Sequence, residues 1–192
     1  MMGVSEENKV IARSILQVFG GKPSVTKYWD DHRESNMDIL STINQPSEGL
    51  TSYSTIGLSD YAIGYTAEEK PLGIELVGAH ATEYDGFSNI LATCAFVVIN
   101  SERLIAPGEI FQDIVPLYYP DSEMKHMLFV DPYLWENLKS VDLQMKKVLW
   151  LLAVPISHQE YLYASDCGID ALENVFEQED IDIFDIERKS TL

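Results

Sequence analysis

Apolar residues recur at helical spacing near the start of the chain and again near its end. Ser5 is a potential N-cap, and apolar positions in residues 10–19 repeat every three or four residues. Residues 157–165 and 170–178 show the same spacing, with Gly168 between them as a stop signal. The pattern predicts one amphipathic helix at the N-terminus and two helices near the C-terminus.

Two longer runs are almost wholly apolar. Residues 87–100 are too many for an ordinary strand and predict a buried helix. Residues 148–156 are rich in branched side chains and predict a central strand buried on both faces. Both runs fall short of the roughly 20 apolar residues that a membrane-spanning helix needs, so we expect a soluble protein without a membrane partner.

Alternating and turn-bounded segments predict the remaining strands. Residues 72–77 predict a half-buried strand, and residues 61–65 followed by a charged turn at 67–70 predict a hairpin with it. Residues 106–121 predict an irregular connection with short strands at most. Residues 132–138 predict a short helix or turn. The other predicted strands are 25–30, 37–42, 126–130 and an edge strand at 180–186.

The stretch from Leu50 to Tyr61 is the most strand-like and carries several hydroxyl groups. Its alternation places Thr51 and Tyr53 on one face and Ser52 and Ser54 on the other, so neither face is cleanly apolar. A catalytic nucleophile is one interpretation. The simpler one is a strand with one wetted face, whose hydroxyls bond to neighbouring backbone.

The composition indicates a packed domain with a strongly acidic surface. The 192 residues are 46% hydrophobic and 10% aromatic, and the net charge is −18. We expect one domain over residues 1–192, because this length can bury a single core. The charge repels nucleic acid and anionic membranes and favours a basic protein partner, although a generally acidic cytoplasmic protein is the plainer explanation.

The cysteines and the N-terminus predict a cytoplasmic protein. Cys94 and Cys167 lie far apart in helical segments and are expected to be free, mostly buried thiols. The first residues turn polar and acidic where the apolar core of a secretory signal would begin.

Two clusters invite a chemical interpretation. Asp30, Asp31 and His32 have metal-binding side chains, but consecutive residues rarely converge on one ion, so a polar turn is preferred. His158 and Cys167 would not face each other on a continuous helix. The known hydrolase, metalloprotease, phosphate-loop and Cys-x-x-Cys patterns are absent from the sequence. We therefore predict no catalytic residues, no metal and no cofactor.

The acidic residues are concentrated at the C-terminus. Residues 159–192 hold ten acidic and two basic side chains. Residues 179–185 superficially resemble a calcium loop but lack its central glycine, so an acidic edge strand is preferred. The region is either a solvated acidic end or a face for a basic partner. On the second interpretation the predicted partner-binding residues are Asp170, Glu173, Glu177, Glu179, Asp180 and Asp182.

Several segments, taken together in order and spacing, resemble the suppressor-of-fused-like family over nearly the whole chain. They are Lys27-Tyr-Trp-Asp30, Met37-Asp-Ile-Leu-Ser-Thr42, Glu48-Gly-Leu-Thr-Ser-Tyr-Ser-Thr-Ile-Gly-Leu-Ser-Asp60, Asn89-Ile-Leu-Ala-Thr93, Ala106-Pro-Gly108, Met124-Lys-His-Met-Leu-Phe129, Trp150-Leu-Leu-Ala-Val-Pro-Ile156 and Ile181-Asp-Ile-Phe-Asp185.

The resemblance implies an α+β domain with a mixed sheet flanked by helices and no enzymatic activity. Stand-alone bacterial members look like immunity proteins, which bind and silence a cognate polymorphic toxin of the LXG type. If that toxin is a nuclease, its cationic substrate groove matches an acidic inhibitor. The alternative function is a peptide-binding adaptor that adds a partner strand to an exposed sheet edge.

Overall fold

The computed structural model describes residues 5–61, 64–67, 69–101 and 103–192. These ranges contain four α-helices, which confirms the four predicted ones. The helices are α1 (Glu6–Phe19), α2 (Phe87–Ser101), α3 (His158–Cys167) and α4 (Ile169–Gln178). The strands are β1 (Pro23–Trp29), β2 (Asn36–Ile43), β3 (Leu50–Ile56), β4 (Thr66–Ala67), β5 (Lys70–Ala81), β6 (Ile110–Phe111), β7 (Met124–Val130), β8 (Val141–Asp142) and β9 (Lys147–Ser157).

The described strands form one mixed sheet. Its order is β1-β2-β3-β5-β9-β7-β6, with β4 paired to β5 and β8 paired to β9. The β5–β9 pair is parallel, whereas the other pairs are antiparallel. The expected α+β class, with a mixed sheet flanked by helices, is confirmed.

Helices cover both faces of the sheet and create two cores. On one face, α2 contributes Phe87, Ile90 and Leu91 to a cluster with Ile39 and Leu76. On the other, residues of α1, α3 and α4 join Leu40, Val77 and Leu152 in a second cluster. Neighbouring residues of one strand thus enter opposite cores, as the period of two requires. The central strand β9 is buried on both faces, as its apolar run predicts.

Two strands are more buried than their sequences indicate. Residues 51–56 of β3 and 73–80 of β5 are all buried. The predictions that one face of β3 is solvated and that β5 is half-buried are therefore wrong. Both strands lie inside the sheet with helices on each side. The β3 hydroxyls are nevertheless satisfied, as expected: Ser52 donates to the Gln45 carbonyl at 2.9 Å and Ser54 to that of Thr55 at 2.9 Å.

Three other expectations need correction or a change of bounds. Residues 180–186 do not form an edge strand, because Asp182 and Asp185 accept hydrogen bonds from the amides two residues ahead and fold the backbone into turns. Cys94 is buried as expected, but Cys167 is exposed at the end of α3. The predicted hairpin is present as β4 and β5, but Ala67 and Lys70, expected in its turn, pair with each other as strand residues. Residues 62, 63 and 68 of the predicted segment lie outside the described residues.

The turn after β3 is organised around one buried carboxylate. Glu75 of β5 accepts hydrogen bonds from the amides of Gly57, Leu58 and Ser59 at 2.9, 3.2 and 3.1 Å. The Thr55 hydroxyl donates a fourth, at 2.6 Å. Burial raises the pKa of Glu75, and these donors act in the opposite direction. The Thr-x-Gly-Leu-Ser segment is therefore a carboxylate-binding turn that builds the sheet.

Candidate partner-binding site

A groove opens on the sheet face that carries α4, and we call it the C-terminal groove. Its volume is about 540 Å³. Strands β7 and β9 supply apolar residues to its lining, and α4 with the following segment supplies others. The apolar and aromatic lining residues are Leu128, Val130, Tyr133, Leu134, Val154, Phe176, Ile181, Ile183 and Phe184. The groove therefore offers an apolar surface on which a partner side chain can be buried.

Three carboxylates, Glu173, Glu177 and Asp180, also line the groove. All three are exposed. Burial raises the pKa of Glu173, and the nearby Asp170 and Asp131 raise it further. Tyr133 is 60% exposed, and its pKa is raised by the partial burial of the side chain in the groove and by Glu173. The three carboxylates, with Asp170 and Asp131 nearby, give the rim a negative potential, which suits a cationic group on a partner.

The structure places the six predicted partner-binding residues on one exposed region but not in one site. Glu173, Glu177 and Asp180 meet at the C-terminal groove. Asp170, Glu179 and Asp182 are exposed as well, yet they do not line it. Asp182 instead shapes the wall, since its carboxylate accepts a hydrogen bond from the Phe184 amide at 2.9 Å. A role for all six in partner binding stays a prediction.

The end of α4 turns the chain back along the groove. Asp180 has a left-handed backbone, with φ of 48°, and the Ile181 amide donates to the Phe176 carbonyl at 3.2 Å. This 6→1 bond is the one that ends a helix in a Schellman motif. It places Ile181 after α4, so that Phe176 and Ile181 both line the groove.

A buried ion pair fixes the segment that follows. Arg188 donates to both carboxylate oxygens of Glu160, at 2.7 and 2.8 Å, and to the Pro155 carbonyl at 3.1 Å. Burial raises the pKa of Glu160, but Arg188 and the surrounding donors outweigh it and lower that pKa overall. The Thr191 amide and hydroxyl also donate to Glu160, each at 3.1 Å. The pair thereby ties the chain end to α3 and β9.

Sequence reasoning missed most of the apolar lining. Tyr133 and Leu134 lie in a segment predicted only as a short helix or turn, and turns are what the structure shows. The alternation of apolar and acidic residues around Ile181, Ile183 and Phe184 is visible in the sequence, but it predicts an edge strand and not the wall of a groove. Phe176 of α4 packs against the second core cluster and also lines the groove.

The Asp30 cluster is a polar turn, as preferred. The Asp30 carboxylate accepts hydrogen bonds from the amides of Glu34 and Ser35 at 2.8 and 3.2 Å and from the Asn100 side chain at 3.1 Å. Among the described residues, no group of three or more His, Cys, Asp or Glu side chains is placed to hold a metal ion.

His158 contacts His126 and not Cys167, the partner considered from the sequence. It begins α3 and Cys167 ends it, so the helix between them is continuous. The Nδ1 atom of His158 lies 3.1 Å from Nε2 of His126. The other nitrogen of His126, Nδ1, accepts a hydrogen bond from the Asp113 amide at 3.0 Å, so the His126 proton lies on Nε2. The pair connects β7 to the start of α3.

Comparison with known proteins places this chain in a family. The family model for the suppressor of fused protein (SUFU) matches residues 33–189. The chain belongs to the suppressor of fused family. It is 50% identical to the protein named Immunity protein YqcF from Bacillus subtilis strain 168, over 192 residues that cover 100% of both chains. The resemblance read from the sequence segments is confirmed.

Solved structures of suppressor of fused proteins share the fold. A homologue from Neisseria gonorrhoeae superposes with a TM-score of 0.72 at 17% identity, covering 96% of each chain. A Sufu–Fu complex gives 0.68 at 14% identity, covering 95% of this chain and 91% of the other. Drosophila Suppressor of Fused gives 0.67 at 15% identity, and the match covers 94% of this chain but 50% of the Drosophila chain.

The described helices of this suppressor of fused protein are too short or too polar to span a bilayer.

Proposed function

We propose that this chain is an immunity protein that binds and neutralises a cognate LXG-type toxin in the cytoplasm. Its full-length 50% identity to a protein named as an immunity protein carries the proposal. The chain acts by binding and performs no chemistry, so that one molecule silences one toxin. The acidic surface supports this mode of action, because a net charge of −18 accelerates encounter with a basic partner.

The C-terminal groove is the proposed contact with the toxin. Its apolar lining buries side chains of the partner, and Glu173, Glu177 and Asp180 pair with basic groups beside them. An apolar centre with a charged rim is the usual arrangement of a specific interface. The other predicted residues, Asp170, Glu179 and Asp182, extend the acidic surface and steer the encounter.

The activity proposed for the toxin is that of a nuclease. Nucleases bind the phosphate backbone with Lys and Arg, so their substrate cleft is cationic. An inhibitor surface with acidic residues around an apolar groove can bind over such a cleft and block access of the substrate.

Co-expression with the cognate LXG toxin tests the proposed function. We expect cells to survive toxin induction only when the chain is present, and a 1:1 complex to co-purify. In vitro, nuclease activity should fall linearly with added chain and reach zero at equimolar ratio. Continued killing without co-purification contradicts the immunity function, whereas protection against a toxin without nuclease activity contradicts the nuclease assignment alone.

Charge reversal tests the groove as the contact. The triple variant Glu173→Lys, Glu177→Lys, Asp180→Lys should raise the Kd for the toxin at least about tenfold. The matched control, Glu34→Lys, Glu48→Lys, Glu69→Lys, changes the net charge equally at exposed positions outside the groove. Equal weakening by both variants contradicts a local contact and leaves only long-range steering.

The second candidate is a peptide-binding adaptor that adds a partner strand to its sheet. The exposed outer strand β1 favours it, because six of its seven residues are exposed. A pulldown from cells that lack the toxin gene separates the two functions. Specific capture of a peptide-bearing protein supports the adaptor, and an empty pulldown supports the immunity function.

A further inference from the structure

The outer edge of β1 presents backbone groups in a defined pattern. The Asp30 amide donates to the Ser35 carbonyl at 3.1 Å, which makes Asp30 and Ser35 a hydrogen-bonded pair of the β1–β2 hairpin. Hydrogen-bonded and non-hydrogen-bonded pairs alternate along an antiparallel ladder. With Tyr28 opposite Met37 in the register, the even-numbered residues of β1 therefore bond to β2.

The odd-numbered residues consequently direct their backbone groups away from the sheet. Val25, Lys27 and Trp29 each offer an amide and a carbonyl along the outer edge. Pro23 occupies the same row and has no amide to offer, which fits a proline at the start of an edge strand. Three residues with both groups free for a partner are enough to dock one short extended segment.

The opposite end of the sheet is not open in the same way. Its outer strand, β6, has two residues and pairs with β7. The chain beside it also engages β7, since Gly108 donates to the Phe129 carbonyl at 2.7 Å and Phe129 donates to the Glu109 carbonyl at 3.0 Å. Within the described residues, β1 is thus the long open edge of the sheet.

Apolar surface accompanies this edge. Val25 and Trp29 are 57% and 52% exposed, so both apolar side chains lie open to solvent beside the edge. A second groove, of about 680 Å³, begins at the end of β1 and is lined by Trp29, Phe96, Leu117 and Tyr118 among others. An added strand would therefore find both backbone partners and apolar contacts.

The charges select the occupant. A second copy of the chain brings another −18 charge to the complex. The ammonium of Lys27 is neutralised by Asp38 at 2.7 Å, so the edge itself carries no net charge to attract an acidic segment.

We propose that the outer edge of β1 is a second docking surface, which binds an extended, non-acidic segment of the toxin as an additional strand of the sheet. The identity of this partner rests on the proposed immunity function. The segment pairs with the backbone of Val25, Lys27 and Trp29, and its apolar side chains contact Val25 and enter the groove beside Trp29.

Residue-resolved amide hydrogen exchange by NMR tests this surface. In the free chain the amides of Val25, Lys27 and Trp29 should exchange rapidly, whereas those of Thr26 and Tyr28, bonded to β2, should exchange slowly. With catalytically inactive toxin at about 100 times its Kd, exchange of the three outward amides should slow on the order of 100-fold. A complex in which they still exchange rapidly overturns the edge proposal alone. Failure to form any complex overturns the immunity function, and with it the assignment of this partner.

A proline variant provides the matched mutational test. Val25→Pro removes one outward amide and leaves the hydrogen bonds between β1 and β2 in place. It should raise the Kd for the toxin about tenfold, which corresponds to about 1.4 kcal/mol, the scale of one hydrogen bond. Val25→Thr keeps the amide and should leave the Kd within about twofold. Thermal unfolding verifies that both variants remain folded, and equal Kd values for the two contradict the backbone contact.

Discussion

At the scale of single residues, Glu75 sets the conformation of the turn after β3. The side chain is fully buried and its carboxylate is surrounded by donors. Gly73, two residues before it, admits no side chain, because an added Cβ would lie 2.7 Å from the Cβ of Ser59 and 2.8 Å from its carbonyl oxygen. One acidic residue and one glycine on β5 therefore dictate how closely the turn packs on the sheet.

The substitution Glu75→Gln should destabilise the fold. The amide nitrogen of glutamine cannot accept hydrogen bonds, so at least one of the buried amides of Gly57, Leu58 or Ser59 loses its acceptor. Leaving a buried donor unsatisfied costs about 1–3 kcal/mol of unfolding free energy. Urea denaturation measures it, with the exposed Glu48→Gln as the control. Equal midpoints for the two variants would show that the carboxylate does not organise the turn.

His80 should make the protein less stable in mild acid. Burial lowers its pKa to about 4, from an ordinary value of 6.5. Because the unfolded chain binds this proton at a higher pH than the folded chain does, protonation favours unfolding. Stability is therefore fully present above pH 6.5 and is lost as the pH falls toward 4, by about 3 kcal/mol in all.

The variant His80→Gln isolates this contribution. Its unfolding free energy, measured in urea from pH 7.5 to 4, should fall less steeply than that of the wild type. His126, whose pKa is also lowered by burial, contributes in the same direction in both proteins. Parallel curves would show that His80 does not titrate with folding.

At the scale of elements, the C-terminal groove depends on a segment without regular structure. The turns at Asp182 and Asp185 and the Glu160–Arg188 pair hold residues 180–188 against the sheet. The Phe184 carbonyl also accepts a hydrogen bond from the Ala81 amide at 3.2 Å, which extends the bonding of β5. Local polar bonds, and not strand pairing, therefore position the apolar wall of the groove.

Removing Arg188 should release this segment. The substitution Arg188→Met leaves Glu160 buried without its partner and should cost about 3–5 kcal/mol of unfolding free energy, because an uncompensated buried charge is strongly destabilising. The exposed pair of Lys189 and Glu123 provides the control, since Lys189→Met should change stability little.

A double variant tests whether the loss of stability comes from the unpaired charge of Glu160. Glu160→Met combined with Arg188→Met removes both charges and should recover much of the loss. If the double variant is as unstable as the sum of the single ones, the pair is not coupled as the geometry indicates.

At the scale of the whole molecule, the charge of −18 acts on association more than on the fold. The acidic groups lie mostly on the surface, and the C-terminal region brings several of them to one groove. The whole surface therefore favours encounter with a cationic partner, and the proposed function assigns the contact to the groove.

The association rate with the toxin should consequently fall as salt rises. Between about 0.05 and 0.5 M the Debye length shortens from above 10 Å to well below it, so steering is screened. Stopped-flow mixing measures the rate, and the dissociation rate should change much less. An association rate independent of salt would remove the steering argument and leave binding by contact alone.

The sequence predicts much of this fold because its helices and central strands carry strong periodicity. The cap at Ser5, the buried helix at residues 87–100 and the strand at 148–156 all follow from local pattern, and all are present. The burial of β3 could not be predicted in this way. Its hydroxyl-rich faces resemble a half-wetted strand, and only the neighbouring β2 and β5 and the helices on both faces bury them.

The candidate site was predicted in part. Acidic residues on α4 are visible in the sequence, and three of the six predicted ones line the groove. The apolar lining was not found, because Leu128, Val154 and Tyr133 come together only through the sheet and the turn at 132–134. The edge at Val25, Lys27 and Trp29 depends on strand order, which local patterns do not encode.

The parallel pairing of β5 with β9 has a consequence for how the chain reaches this structure. Residues before α2 form the antiparallel order β1-β2-β3-β5, and residues after it form β9-β7-β6, so the β5–β9 pair is the seam between two contiguous halves. Each half can assemble through short connections, whereas the seam closes a long loop and is expected to form late. A chain nicked near residues 103–106, in the connection after α2, should therefore reassemble from its two pieces, and the seam would set the rate.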